Sequence, residues 1–246
     1  MLKRSLLILV LSTSSLGVWG QSAVREPGTS YEAYVSNLKE TAPSPYSTAR
    51  TFKEDNFEGV TPWPMDKLQP WFEMMRNERY LSARRPANFK RRLTWLYPQD
   101  GCYARAGAGI KHLIDGGVPG PKKIFAFGDL ETKTPYSKRG KVSWWYHVAP
   151  VVDVEGRRYV LDPSVEAGHP LTIQEWVTAI ADSDDVKFVK VAICEAGAYW
   201  PKSKCANTVV GTTGESGVKE YLSAEWDNLV KLGMDPEALL GDAPPW

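Results

Sequence analysis

Apolar positions recur at helical spacing in some stretches of the chain and run unbroken in others. Leu68, Trp71, Phe72 and Met75 predict a helix over 66–80. Tyr103, Ala106, Ile110, Leu113 and Ile114 predict a second, apolar along one side, from Cys102 to Asp115, where Gly116-Gly117 stops it. Thr172-Ile173-Gln174-Glu175 is a capping box opening a helix to Ala181. A last helix is expected over 218–232, with Tyr221, Leu222, Trp226, Leu229 and Val230 inward and Gly233 at its end. Runs rich in β-branched and aromatic residues predict strands over 93–97, 123–129, 142–154, 157–161 and 186–193, with a polar loop over 132–141. Glu155-Gly156 reads as a two-residue turn, so 154 faces 157, 149 faces 162 and 147 faces 164.

The second helix carries the most chemistry. Asp100 is the expected N-cap, and Gly101 lets the backbone turn tightly ahead of Cys102. Cys102 then falls in the first turn, where unpaired N–H groups and the helix dipole favour a thiolate. Gly107 and Gly109 would each cost about 1 kcal/mol against alanine in an exposed helix. Inside a core they admit a close neighbour, so this helix is expected to be central and buried.

Before residue 65 the pattern changes. Lys3 and Arg4 precede a short apolar run, Leu6 to Leu11, and Val18-Trp19-Gly20 offers small residues for cleavage. Residues 1–20 are therefore expected to be a signal peptide and the protein to be secreted or periplasmic. No later run reaches the roughly 20 apolar residues that span a bilayer. Residues 21–64 are rich in proline, serine, threonine and charge, with one short helix expected over 31–39, and read as a linker or pro-region bounded by Pro62-Trp63-Pro64. Residues 65–246 form the expected catalytic domain, with the last residues after Gly233, through Pro244-Pro245-Trp246, as a tail.

Charge narrows the partners. Lys3 and Arg4 are two of the 30 basic residues, so after cleavage 28 stand against 29 acidic ones. A near-neutral chain gives no reason to expect nucleic acid or an anionic membrane as partner. The local cluster Arg84, Arg85, Lys90, Arg91 and Arg92 reads as a solvated loop.

The three cysteines cannot all pair within one exported chain. Cys194 and Cys205 close a short loop that reads as a disulfide, worth roughly 3 kcal/mol. Cys102 is left over, either inert and buried or used. A cysteine nucleophile needs a base, and the base an orienting partner. Of the three histidines, His112 lies ten residues along the Cys102 helix and His169 in a Gly-His-Pro loop; both are expected at the surface. His147 lies in Trp144-Trp145-Tyr146-His147-Val148-Ala149. With the 155–156 turn, Asp162 becomes its diagonal neighbour on one sheet face, able to accept from one imidazole nitrogen while the other faces Cys102. No cluster has metal-ligand spacing, and neither metal nor cofactor is expected.

Asp100-Gly101-Cys102-Tyr103-Ala104-Arg105-Ala106, Trp144 to Ala149 and Leu161-Asp162-Pro163-Ser164 resemble the bacterial protein-glutaminase family, the secreted protein-glutamine deamidases. Leu93 to Pro98, Phe127 to Leu130 and Pro170 to Trp176 resemble family counterparts in the same order, so the likeness runs from about Leu68 to Ala181. It implies an α+β, papain/transglutaminase-like core with the nucleophile at the N-terminus of a central helix packed on an antiparallel sheet. It also implies hydrolysis of the side-chain amide of protein-bound glutamine to glutamate and ammonia. Cys102 would be the nucleophile, His147 the acid/base and Asp162 its orienter, and a pro-region commonly covers the site. Trp144, Tyr146 and Tyr103 are expected to grip the substrate peptide. Gly107, where the family motif has histidine, Trp145, and a 133–141 loop without adjacent cysteines depart from the pattern. The same triad also suits transglutaminase-like acyl transfer or cleavage of a peptide or peptidoglycan amide, which a labelled amine would separate. A non-catalytic exported binding protein with an aromatic groove is the reading outside enzymes.

Overall fold

The computed structural model describes residues 49–51, 59–82, 90–181, 189–201 and 203–241. The expected signal peptide, the 31–39 helix, Arg84, Arg85 and the 244–246 tail lie outside them. Among the described residues the strands are β1 Arg50–Thr51, β2 Leu81–Ser82, β3 Lys90–Arg91, β4 Lys122–Lys133, β5 Lys141–Val154, β6 Arg157–Val160, β7 Leu171–Thr172 and β8 Lys190–Cys194. The helices are α1 Met65–Asn77, α2 Cys102–Asp115, α3 Ile173–Ala179, α4 Thr213–Lys231 and α5 Pro236–Leu240. One antiparallel sheet runs in the order β1-β8-β4-β5-β6-β7, and β2 pairs with β3 apart from it. The architecture is α+β, with helices packed on the sheet, and no helix among the described residues is long and apolar enough to cross a membrane.

The unbroken apolar runs become intelligible here, because the central strands are covered on both faces. Ile124, Ala126, Ala149, Val151 and Val191 pack with Trp176 and Val177 of α3. Phe125, Phe127, Val148 and Ala192 turn the other way and pack with Cys102 and Ala106 of α2. Beyond α2, α1 contributes Leu68, Phe72 and Met75 to a third cluster with Leu93 and Leu113. The segment before α1 also belongs to this packing. Trp63 is buried, and Trp63 N–H donates to the Asp153 carbonyl while Asp153 N–H donates to Thr61.

The 155–156 turn sets the predicted register: Val154 pairs with Arg157 and Val151 with Val160. Glu155 and Gly156 both have positive φ, as a tight hairpin turn requires. The capping box is formed, with Thr172 accepting from Glu175 N–H and Glu175 accepting from Thr172 N–H. Cys194 and Cys205 are disulfide-bonded.

Some expectations are corrected. Residues 93–97 are not a strand: Tyr97 N–H closes a turn on the Thr94 carbonyl, and the buried Arg105 guanidinium gathers this segment's carbonyls instead of a sheet partner. Residues 236–240 form α5, capped by Asp235, where only tail was expected. Helix α2 is buried nearly all round, yet Ile114 is 40% exposed, and on α4 Val230 is 54% exposed while Glu225 is buried. Helix α4 starts five residues earlier than its apolar spacing indicates. Its first turns carry Gly214 and Gly217, which propensity disfavours. They are kept by contact with α2: a Cβ on Gly214 would lie 2.5 Å from Ala108 N, and one on Gly217 would lie 3.0 Å from Ala104 Cβ.

Candidate active site

Cys102 is the first residue of α2, unpaired and buried. The N-cap is Gly101 rather than Asp100. Gly101 adopts the left-handed conformation, φ 80 and ψ 11, which a residue with a Cβ resists. Asp100 instead accepts from Gly101 N–H at 2.6 Å, bracing the turn from outside. The Gly101 carbonyl receives Arg105 N–H at 2.9 Å as the helix begins.

Arg105 holds the approach to this turn. Its buried Nη1 donates to the carbonyls of Tyr97 at 2.9 Å and Asp100 at 2.6 Å. Glu225 of α4 fastens the same loop, accepting from Leu96 N–H at 3.0 Å while paired with Arg91. Tyr221 closes over the turn: a Cβ on Gly101 would meet its ring at 2.8 Å.

His147 lies on β5 opposite Ala126, fully buried. Its Nε2 is 2.7 Å from Asp162 Oδ2. The same oxygen accepts from Trp176 Nε1 at 2.9 Å, and Asp162 Oδ1 accepts from Ser164 Oγ at 2.6 Å and Ser164 N–H at 3.2 Å. The imidazole Nδ1 is buried without a hydrogen-bond partner. Cys102, His147, Asp162 and Ser164 line one small cavity with Arg105, Trp95 and Ala106. The residues proposed from the sequence as a triad are thus brought together, with the carboxylate on Nε2 and Nδ1 left unused.

Electrostatics follow from this wiring. Burial alone would lower the His147 pKa, but the Asp162 charge and hydrogen bond, aided by Cys102, outweigh it and raise it to about 9. Burial would likewise raise Asp162; the charge and hydrogen bond of His147, with the donors Ser164 and Trp176, hold it at about 2. Around neutrality the pair is therefore imidazolium and carboxylate. That places a positive charge in the cavity that Cys102 lines.

Of the residues expected to grip substrate, Tyr103 is half-buried, with its hydroxyl 3.0 Å from that of Tyr221 and its ring 5.1 Å from Tyr199. Tyr146 packs edge-on against Trp145 at 4.7 Å. Burial first, then the nearby Cys102 charge, raise the pKa of Tyr146, so its phenol stays neutral. Trp144 is buried and stacks on His147 at 4.4 Å. His169 is exposed as expected. His112 is instead largely covered, stacked on Tyr80 at 3.8 Å and bonded to Glu78 at 2.7 Å.

Several residues here were missed from sequence. Ser164 had a legible signal, since Asp-x-Ser forms a local turn with the serine N–H on the carboxylate. Trp176, Glu225 and Lys123 had none, because each reaches the site through tertiary packing. Lys123 is buried on β4 and donates to the Ala198 carbonyl at 2.7 Å. Desolvation lowers its pKa to about 7, against a smaller opposing effect of Cys102.

Residues 68–180 match the family model described as Glutaminase. None of the curated proteins matches the chain by sequence. Among solved structures, the protein-glutaminase of Chryseobacterium proteolyticum superposes with a TM-score of 0.52 at 23% identity, over 66% of this chain and 89% of that one. A crystal structure of pro-protein-glutaminase superposes with a TM-score of 0.51 at 21% identity, over 78% of this chain and 67% of that one. At these identities the likeness is one of fold.

Proposed function

From the premise that the chain belongs to the protein-glutaminase family through residues 68–180, we propose that it hydrolyses the side-chain amide of glutamine in proteins or peptides. The reading that fits is a papain/transglutaminase-like cysteine hydrolase with Cys102 as nucleophile, His147 as acid/base and Asp162 as orienter. The observation that carries it is the buried 2.7 Å His147–Asp162 bond in one cavity with a helix-N-terminal Cys102.

The Cys102 thiolate attacks the glutamine δ-carbon, and the amide π electrons move to oxygen. The Cys102 backbone N–H, unpaired within the helix as at any first turn, faces the developing oxyanion. Imidazolium His147 gives its proton to the amide nitrogen, so ammonia leaves and a thioester remains. Neutral His147 then takes a proton from water, whose oxygen attacks the thioester, and glutamate leaves with the thiolate restored. Asp162 keeps the ring oriented throughout. The half-buried Tyr103 and its neighbour Tyr146 are the contacts offered to the substrate chain. Residues 1–20 direct export to the periplasm or beyond, and residues 21–64 serve as a pro-region. Trimming that segment should raise the rate; an unchanged rate removes the inhibitory role.

The test is ammonia release from a blocked glutamine dipeptide, free glutamine and a denatured protein. Release from bound but not free glutamine is expected, with Cys102→Ala inactive at an unchanged melting temperature. Activity retained in that variant would falsify the assignment, and incorporation of a labelled amine in place of hydrolysis would make the chain an acyl transferase.

A further inference from the structure

We propose that Trp144 and Trp176 are positioning residues, which both stack on the His147 imidazole and tie it, through their own N–H groups, to the two segments carrying Cys102 and Asp162. The proposal rests on the reading of these three residues as a working triad, and its test separates the two.

The ring geometry comes first. Trp144 stacks on His147 with centroids 4.4 Å apart and planes 13° from parallel. Trp176 stacks at 5.8 Å and 28°. Both indoles are buried, Trp176 completely. Aromatic partners at such separations resist rotation of the ring they stack on.

Each indole is anchored elsewhere. Trp144 Nε1 donates to the Pro98 carbonyl at 3.0 Å, in the loop that turns through Asp100-Gly101 into Cys102. Trp176 Nε1 donates at 2.9 Å to Asp162 Oδ2, the oxygen already bonded to His147 Nε2. One tryptophan therefore references the imidazole to the nucleophile's loop, the other to the carboxylate. With Nε2 committed to Asp162, the ring plane decides where Nδ1 points. Small misplacements of a reacting group, about 1 Å, cost rates on the order of a hundredfold.

The stacking has an electrostatic side. A cation over an indole face is attracted by the ring quadrupole. Trp144 thus favours the imidazolium, adding to the pull of Asp162 on the proton. On this account Trp144 acts through His147, without gripping the substrate.

The experiment uses the full chain and the variants Trp144→Leu, Trp144→Phe and Trp176→Phe. The first readout is alkylation of Cys102 by iodoacetamide against pH, which needs no assumption about substrate. Its upper inflection belongs to His147 if His147→Gln removes it. The second readout is kcat and KM for ammonia release from a blocked glutamine dipeptide. Trp144→Leu should move the upper inflection down by about one pH unit, a tenfold change in proton affinity, and lower kcat with KM within about twofold. Trp144→Phe keeps a ring face and should restore the inflection but not all of kcat, since the Pro98 tie is gone. Trp176→Phe should lower kcat in the same way. An unmoved inflection in folded Trp144→Leu, or a raised KM with unchanged kcat, would overturn the proposal. A moved inflection in a protein that releases no ammonia would uphold the positioning and remove the deamidase reading.

Discussion

His147 and Asp162 titrate as one buried pair, and their displaced pKa values set the pH window of the site. Asp162 is held at about 2, below its ordinary 3.8, so its contribution to stability is complete above pH 3.8 and is lost as pH falls towards 2. His147 is raised to about 9 from 6.5, so its contribution is complete below pH 6.5 and is lost as pH rises through 9. Stability should therefore hold between roughly pH 4 and 6.5 and decline on both sides. His147→Gln should flatten the alkaline decline, which urea unfolding from pH 5 to 10 would measure. On the proposed mechanism, activity should fall over the same alkaline range, because a neutral imidazole cannot protonate the leaving ammonia. An alkaline decline surviving in His147→Gln would mean another group titrates there; Lys123 would not explain it, because a pKa lowered to about 7 adds stability as pH rises.

At the scale of elements, the helix that begins at Cys102 is placed by its glycines. Gly107 faces Gly214 of α4, with a built Cβ 3.4 Å from Gly214 Cα, and Gly109 faces Met75 of α1. Helices in such contact leave no room for a methyl group. Gly214→Ala would set a Cβ 2.5 Å from Ala108 N and 2.7 Å from Gly107 C, both backbone atoms that cannot swing aside. A loss of about 1–3 kcal/mol is expected from this overpacking, while Gly211→Ala, which meets nothing within 4 Å, should stay within about 0.5 kcal/mol. Equal effects of the two in denaturant melts would show that the α2–α4 contact is looser than described. The start of α4 was mislocated from sequence for this same reason, since tertiary fit overrides the propensity of glycine.

In the whole molecule, a buried ion pair ties the last long helix to the site. Glu225 is fully buried, takes the Arg91 guanidinium and accepts Leu96 N–H in the loop leading to Cys102. Glu225→Ala would take the Glu225 carboxylate from the buried Arg91 guanidinium, at a cost of about 3–5 kcal/mol. The paired change Arg91→Met with Glu225→Leu should recover much of that stability, yet remain slower in Cys102 alkylation, because the Leu96 tether stays broken. Full recovery of both would leave the pair only a stability role. Such cross-bracing joins residues 134 positions apart, so the site depends on the domain closing as one unit.

Local order was legible in the chain by itself. The 155–156 turn dictates a register, and the register makes His147 and Asp162 neighbours; the capping box, the α2 span with its Gly116 stop and the Cys194–Cys205 bridge are equally local. Each depends on contacts between residues close in sequence, where backbone sterics and turn chemistry decide. Only the tertiary structure decided the rest. It set Gly101 rather than Asp100 as the cap, folded 93–97 around Arg105 instead of into the sheet, lodged Trp144 on His147 and brought Trp176, Lys123 and Glu225 to the site. Those placements arise where distant elements compete for the same buried space and unpaired polar atoms must find partners, and hydrophobic period carries no record of which partner is found.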